Sequence, residues 1–269
     1  MKTIRHIALL LLGASGAAFA QQPQGETITV PLTDPGRPAV VRVALNSGSI
    51  TVRAANRRDV VVVGRGREEL RREDPPPTGM RRLTQAAGFS VQEERNEVLI
   101  DGASTNRAVD FEIQVPTRTN LKLVTMNNGE IVVEGVEGEL EVENTNGPIT
   151  LTRIAGSAVA NSVNGQVLVT LTRVTPDKAM AFTSYNGAVD VTFPASLKAN
   201  LKLRSDKGDV FSDFDVQLRP NTPVVHETHR ASGRFQVEVN SSIQGTVNGG
   251  GPEIELRTWN GAVYLRKGP

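Results

Sequence analysis

The chain has 269 residues, 22% of them charged, with 30 Lys and Arg against 29 Asp and Glu. A balance this even argues against a nucleic-acid binder, which carries a basic excess on one domain. With no cysteine, disulfides, thiol nucleophiles and lipid attachment to an N-terminal cysteine are excluded, so stability must come from packing and backbone pairing.

Residues 1–20 read as a signal peptide. Lys2 and Arg5 form a positive start, residues 7–12 are a short apolar run, and Ala18-Phe19-Ala20 is a small-x-small cleavage site. Cleavage after Ala20 leaves 28 basic and 29 acidic residues. No later segment approaches the ~20 consecutive apolar residues of a membrane helix. The expectation is an exported protein, periplasmic or extracellular, with no transmembrane segment and no lipid anchor.

Residues 21–64 carry strand patterns, among them Val60 to Val63, and Gly48 with Ile50 and Val52 forms a degenerate copy of the repeat described next. This segment is placed to act as an N-terminal β cap over an otherwise open sheet end. Residues 65–94 are a charged, Pro-rich insertion around Pro75-Pro76-Pro77, expected as a loop with a short helix, the cationic run from Arg65 to Arg72 forming its solvated face.

The repeat occupies residues 95–267. Asn-Gly recurs at Asn128-Gly129, Asn146-Gly147, Asn164-Gly165, Asn186-Gly187 and Asn260-Gly261, and Lys207-Gly208 takes the same place between the last two. The first three pairs are 18 residues apart and the next is 22 further on. After each pair apolar residues alternate, as in Ile149 and Leu151 or Val167 and Val169. A turn tolerant of positive φ followed by period-two alternation means turn, then strand. A second turn falls midway in each unit, at Gly135 to Gly138, Ile154 to Gly156 and Pro176-Asp177. Strand, turn, strand, turn makes one coil of a single-stranded parallel β-solenoid with rungs of about 18–22 residues. Asn-Gly also marks hairpins, so a sandwich or open meander is the competing fold. Alignment favours the solenoid. Two residues before each turn stand Asn144, Ser162, Ser184, Ser205 and Thr258, and four before stand Val142, Ala160, Phe182, Leu203 and Leu256. A meander has no reason to keep one small polar column in register. Residues 215–232 interrupt the repeat and read as a loop bulging from one coil.

The stretch VDFEIQVPTRTNLKLVTMNNGEIVVEGVEGELEVENTNGPITL, from Val109, and the ending GTVNGGGPEIELRTWNGAVYL, from Gly245, resemble the bacterial putative-adhesin family of exported domains of unknown function. The resemblance implies a β-helix-like domain. It implies no catalytic residues, because the family has none established.

Candidate sites are sparse. His226-Glu227-Thr228-His229 has its histidines one residue too close for the zinc-protease motif, and reads as an exposed loop. Asp206, Asp209, Asp213 and Asp215 lack the glycine-aspartate repeats of calcium-binding β-rolls and read as a solvated rim. The outward column before the turns holds Thr145, Val163, Tyr185, Asp206 and Trp259, with Tyr264 nearby. Tyr185, Trp259 and Tyr264 are therefore the candidate ligand surface. No catalytic set, metal site or cofactor is expected. The favoured reading is a non-catalytic envelope or secreted module that contacts a protein or glycan. A carbohydrate-active β-helix is the alternative, and a part in envelope-stress signalling is left open.

Overall fold

The computed structural model describes residues 25–67, 88–102, 108–127, 129–219, 225–229, 235–239 and 242–268. The expected leader lies outside them. So do residues 68–87, where the short helix was expected, and no described residue is helical. Arg65 and Arg67, expected on that helix, belong instead to a strand and its exit. They pair with Glu112 and Asp110.

The fold is all-β, with 20 strands in one mixed sheet. In chain order the strands that stack are β2 (Ala39–Ser47), β3 (Ile50–Ala55), β6 (Glu97–Gly102), β7 (Val109–Pro116), β8 (Thr119–Asn127), β9 (Ile131–Glu134), β10 (Glu137–Asn144), β11 (Ile149–Ser162), β12 (Val167–Val174), β13 (Met180–Asn186), β14 (Val189–Phe193), β15 (Ala199–Ser205), β16 (Val210–Ser212), β21 (Glu253–Asn260) and β22 (Val263–Lys267). Each rung places one strand on a first face and the next on a second. On the first face the order is β6, β2, β8, β10, residues 155–162 of β11, β13, β21 and β15, all parallel. On the second face it is β7, β3, β9, residues 149–152 of β11, β12, β14, β22 and β16, again parallel. These make eight rungs among the described residues, numbered here in that spatial order. β11 passes from one face to the other through a register shift at Leu151 and Ile154, where Arg153 is left-handed (φ 54°).

A purely parallel sheet was expected, and the ends depart from it. β1 (Glu26–Pro31) and β4 (Asp59–Gly66) run antiparallel to each other, and β4 runs antiparallel to β7. β5 (Phe89–Glu94) forms a hairpin with β6. At the other end β20 (Ile243–Val247) lies antiparallel to β15 and to β17 (Gln217–Leu218). A tight turn joins β5 to β6; the other antiparallel pairs are far apart in the chain, and β4, β5 and β20 lie against β7, β6 and β15, covering edges that the parallel stack would leave unpaired. The segment expected as a loop with His226 and His229 contains β18 (Val225–His229), paired with β19 (Phe235–Val239) in a separate two-stranded sheet.

The core is one continuous cluster between the two faces, built from the alternate residues of every rung. On the first face Leu123, Val142, Ala160, Phe182, Leu256 and Leu203 follow one another in that order. Phe182 therefore lies between Ala160 and Leu256, and its ring meets Phe193 of the second face edge-on at 6.1 Å.

The corner glycines hold their places for a reason other than φ. Of the turn residues Gly129, Gly147, Gly165, Gly187, Gly208 and Gly261, only Gly261 (φ 157°) has a positive φ. What they share is closeness. A Cβ on Gly147 would overlap the carbonyl oxygen of Gly129, and one on Gly165 that of Gly147; the same holds at Gly187, Gly261 and Gly208. Backbone stacks directly on backbone at this corner, and only hydrogen fits between the layers.

Candidate binding surface

The surface begins with the corner. Each inner polar residue donates to the carbonyl of the glycine one rung away: Ser162 Oγ to Gly147 (3.0 Å), Ser184 Oγ to Gly165 (2.7 Å), Thr258 Oγ1 to Gly187 (2.7 Å) and Ser205 Oγ to Gly261 (2.7 Å). Asn144 Nδ2 does the same to Gly129 at 3.0 Å. Buried carbonyls that turn backbone would leave unpaired are thus satisfied. Outside runs an amide ladder. Asn164 Nδ2 donates to Asn146 Oδ1 (2.7 Å), Asn186 to Asn164 (2.7 Å) and Asn260 to Asn186 (2.6 Å). The ladder continues from Asn146 to Asn127 at 3.3 Å. The register, which places Asn144 on Thr125, gives that position to Asn127. Asn128, aligned there from sequence, lies outside the described residues.

Between these two bonded columns stand the outward side chains Met126, Val163, Tyr185 and Trp259. Tyr185 on β13 and Trp259 on β21 face each other with ring centroids 5.9 Å apart and planes 4° from parallel. A contact distance near 3.5–4 Å between planes implies that the rings are slipped sideways, so part of each face is left open. Tyr185 is 51% exposed. Both backbones are pinned on either side, by Ser184 and Asn186 in one strand and Thr258 and Asn260 in the next, so the rings are presented with little freedom to move.

Tyr264 does not join them. It points outward from β22 on the second face and stacks on Phe211 of β16, with centroids 5.3 Å apart. Arg266 lies over the Tyr264 ring at 5.0 Å and pairs with Asp190 at 2.7 Å. That carboxylate bond raises the Arg266 pKa above its ordinary value. Phe211 was not singled out from sequence, although it follows Lys207 by the same interval that separates Tyr264 from Asn260. The missing asparagine concealed it. Arg257 was also missed. It is exposed beside Trp259 on the outer face, two residues earlier in β21.

The sequence matches the Toastrack DUF4097 family over residues 16–248, well over half of the chain. The chain belongs to that family. No curated protein matches it. Two crystal structures are similar. One is a candidate cell adhesion protein from Clostridium sporogenes, 10% identical, with TM-score 0.45 and 91% of this chain and 100% of that chain covered. The other is a candidate adhesin from Bacteroides fragilis, 12% identical, with TM-score 0.39 and coverages of 91% and 98%. Likeness at this level carries no argument about a ligand.

The described acidic residues do not converge. Asp206 is held by Arg204, and among the described residues no three His, Asp or Glu gather as metal ligands do. Several described glutamates of the outer faces form ion pairs along the stack, such as Lys122 with Glu141 at 2.8 Å and Lys178 with Glu139 at 2.8 Å. No described helix is long and apolar enough to cross a membrane.

Proposed function

We propose that the chain is an exported, non-catalytic β-solenoid that acts by presenting the outer corner of its stack to another molecule of the cell envelope. The observation that carries this reading is the Tyr185–Trp259 pair, parallel within 4° and fixed on adjacent rungs by bonded columns on both sides. Rigid aromatics on an open face bind at low entropic cost. The solenoid reading draws on in-register parallel pairing, which repeats from rung 1 to rung 8 while the antiparallel strands stay at the ends. The starting cap expected from residues 21–64 is proposed for β1 and β4, since β2 and β3 of that segment enter the stack as rung 2. Residues 65–94 are proposed as an insertion that ends in β5, and 95–267 as the rest of the adhesin-like body. The partner is an envelope protein or glycan, and the chemistry is binding without bond cleavage. Labelled protein incubated with purified cell envelopes tests this. Binding that falls with Tyr185→Ala and Trp259→Ala, without release of reducing sugar, is the expected result. Release of reducing ends would replace the reading with a carbohydrate-active enzyme, and binding indifferent to both substitutions would move the surface elsewhere.

A further inference from the structure

We infer that the corner of rungs 6 to 8 is a subsite for a carboxylate-bearing polysaccharide, with Tyr185 and Trp259 stacking against its sugar rings and Arg257 pairing with an acid group. This rests on the proposed role of that corner and names the ligand class.

Three observations support it. The first is charge. On rungs 7 and 8 the first face turns out Glu253, Glu255 and Arg257 from β21 and Lys202 and Arg204 from β15, and the rung 8 corner adds Asp206, Lys207 and Asp209. Glu255 is taken by Lys202 at 3.4 Å and Asp206 by Arg204. Glu253 lies four residues from Arg257 at the far end of the strand, so the charge beside Trp259 is that of Arg257. Arg257 stands in register between Thr183 and Arg204, and among the described residues it has no ion-pair or hydrogen-bond partner. An exposed guanidinium with a second arginine beside it attracts an anion.

The second is position along the stack. Toward rung 4 the same face carries Glu139 and Glu141, paired with Lys178 and Lys122, and Glu143, which has no ion pair among the described residues, so the unpaired charge changes sign between Arg257 and Glu143. An anionic chain is favoured beside Arg257 and disfavoured beside Glu143. Within its own strand Arg257 lies two residues from Trp259 on the same face, near enough for one ligand to meet both.

The third is spacing. Adjacent rungs repeat at ~4.8 Å, about the length of one sugar in an extended polymer, and Tyr185 and Trp259 occupy adjacent rungs with centroids 5.9 Å apart. A polymer running along the stack therefore meets one ring per sugar, with Arg257 beside the second.

Affinity electrophoresis tests the inference, with the whole chain run through gels containing polygalacturonate or a neutral β-glucan. The expected result is retardation by polygalacturonate alone, weakening as salt is added. Arg257→Gln should lower the affinity about ten-fold, and Trp259→Ala should lower it by about as much. Arg257 is exposed, so an unchanged thermal melt separates lost binding from lost folding. Equal retardation by both polymers, unaffected by Arg257→Gln, would overturn the ligand class and leave the binding surface standing. Retardation by neither, with envelope binding still lost on Trp259→Ala, would also overturn the class and point to a protein partner at the same corner. Retardation by neither, with envelope binding unchanged by Trp259→Ala, would overturn both.

Discussion

Replacing Phe182 with Ala removes a ring that is fully buried from the middle of the stack. Its neighbours along the column are Ala160, whose methyl has no rotamer that could fill the void, and Leu256, fixed by its own rung. Phe193 loses its edge-on partner as well. Truncation of a buried phenylalanine costs about 3–5 kcal/mol, of which the aromatic pair supplies roughly 0.5–1.5 kcal/mol. With a small residue on one side and a pinned backbone on the other, little relaxation is available, so the cost falls in the upper half of that range. Because rungs stabilise mainly their neighbours, hydrogen exchange should quicken at rungs 5 to 7 and change least at rungs 1 to 3. Glu141→Ala is the control. It points outward on the same face and loses only a half-exposed pair with Lys122, worth about 0–1 kcal/mol. Urea melts of both variants measure the contrast. A larger loss from Glu141→Ala, or exchange quickened first at rungs 1 to 3, would refute the facing and the register together.

Gly165→Ala should destabilise by about 1–3 kcal/mol, since the new Cβ meets the Gly147 carbonyl; a thermal melt unchanged from the parent would contradict the backbone-contact account. Ser184→Ala strips the Gly165 carbonyl of its donor and should cost about 1–3 kcal/mol in the same assay, with Ser184→Thr milder. Glu93 accepts from the Asn96 backbone N–H and from Thr33, which lowers its pKa. Its contribution is complete above the unfolded value of about 4.3 and is lost as pH falls through the lower folded value. The melting temperatures of Glu93→Gln and the parent should therefore differ near neutral pH and converge on acidification, and a gap that widens in acid would reverse the sign.

The rung and its facing were legible in the sequence because every coil repeats the same two demands. A glycine must pass under the carbonyl of the next layer, and a small donor must reach that carbonyl from inside. Ser162, Ser184, Ser205 and Thr258 answer the second demand with different side chains of one chemistry, which is why aligning residue types worked where identity fails. The reason for the glycines was not legible, since Asn-Gly also signals positive φ and only three-dimensional stacking separates the two. Phe211 was hidden because its rung has Lys207 in place of asparagine. Pairing partners were hidden for a related reason. Columns of interchangeable Leu, Val and Ile say that rungs stack, and they do not say which rung lies on which. Tyr264 was grouped with Trp259 by nearness in sequence, although the corner between them sends the two to different faces.

The order of the stack departs from the order of the chain at both ends. β2 and β3, early in sequence, lie between β6/β7 and β8/β9, which follow one another directly. β21 and β22 lie between β13/β14 and β15/β16, which are also consecutive. In a simple solenoid the first and last rungs each have one neighbour and fray. Here the earliest and latest rungs have two neighbours each, and the outermost rungs are held by chain on both sides. The arrangement also fixes when the aromatic corner can form. Tyr185, Arg204, Arg257 and Trp259 come from β13, β15 and β21, and rung 7 must enter between two rungs already joined by residues 194–198. Contacts this distant in sequence form slowly. Before entry β15 can rest on β13 in a matching register, since Leu203 and Phe182 both pair with Leu256, and Ser205 and Ser184 both pair with Thr258. Entry then has to separate them. The chain contains a single tryptophan, and it lies on the entering rung, so its fluorescence reports this step alone. On dilution from urea, far-UV circular dichroism should recover in a phase ahead of the Trp259 signal, and Ser205→Ala, which before entry has no hydroxyl to offer the Gly187 carbonyl that Thr258 later takes, should hasten the lagging phase. Coincident recovery by both probes would mean that rung 7 assembles with the rest, and late insertion would be wrong.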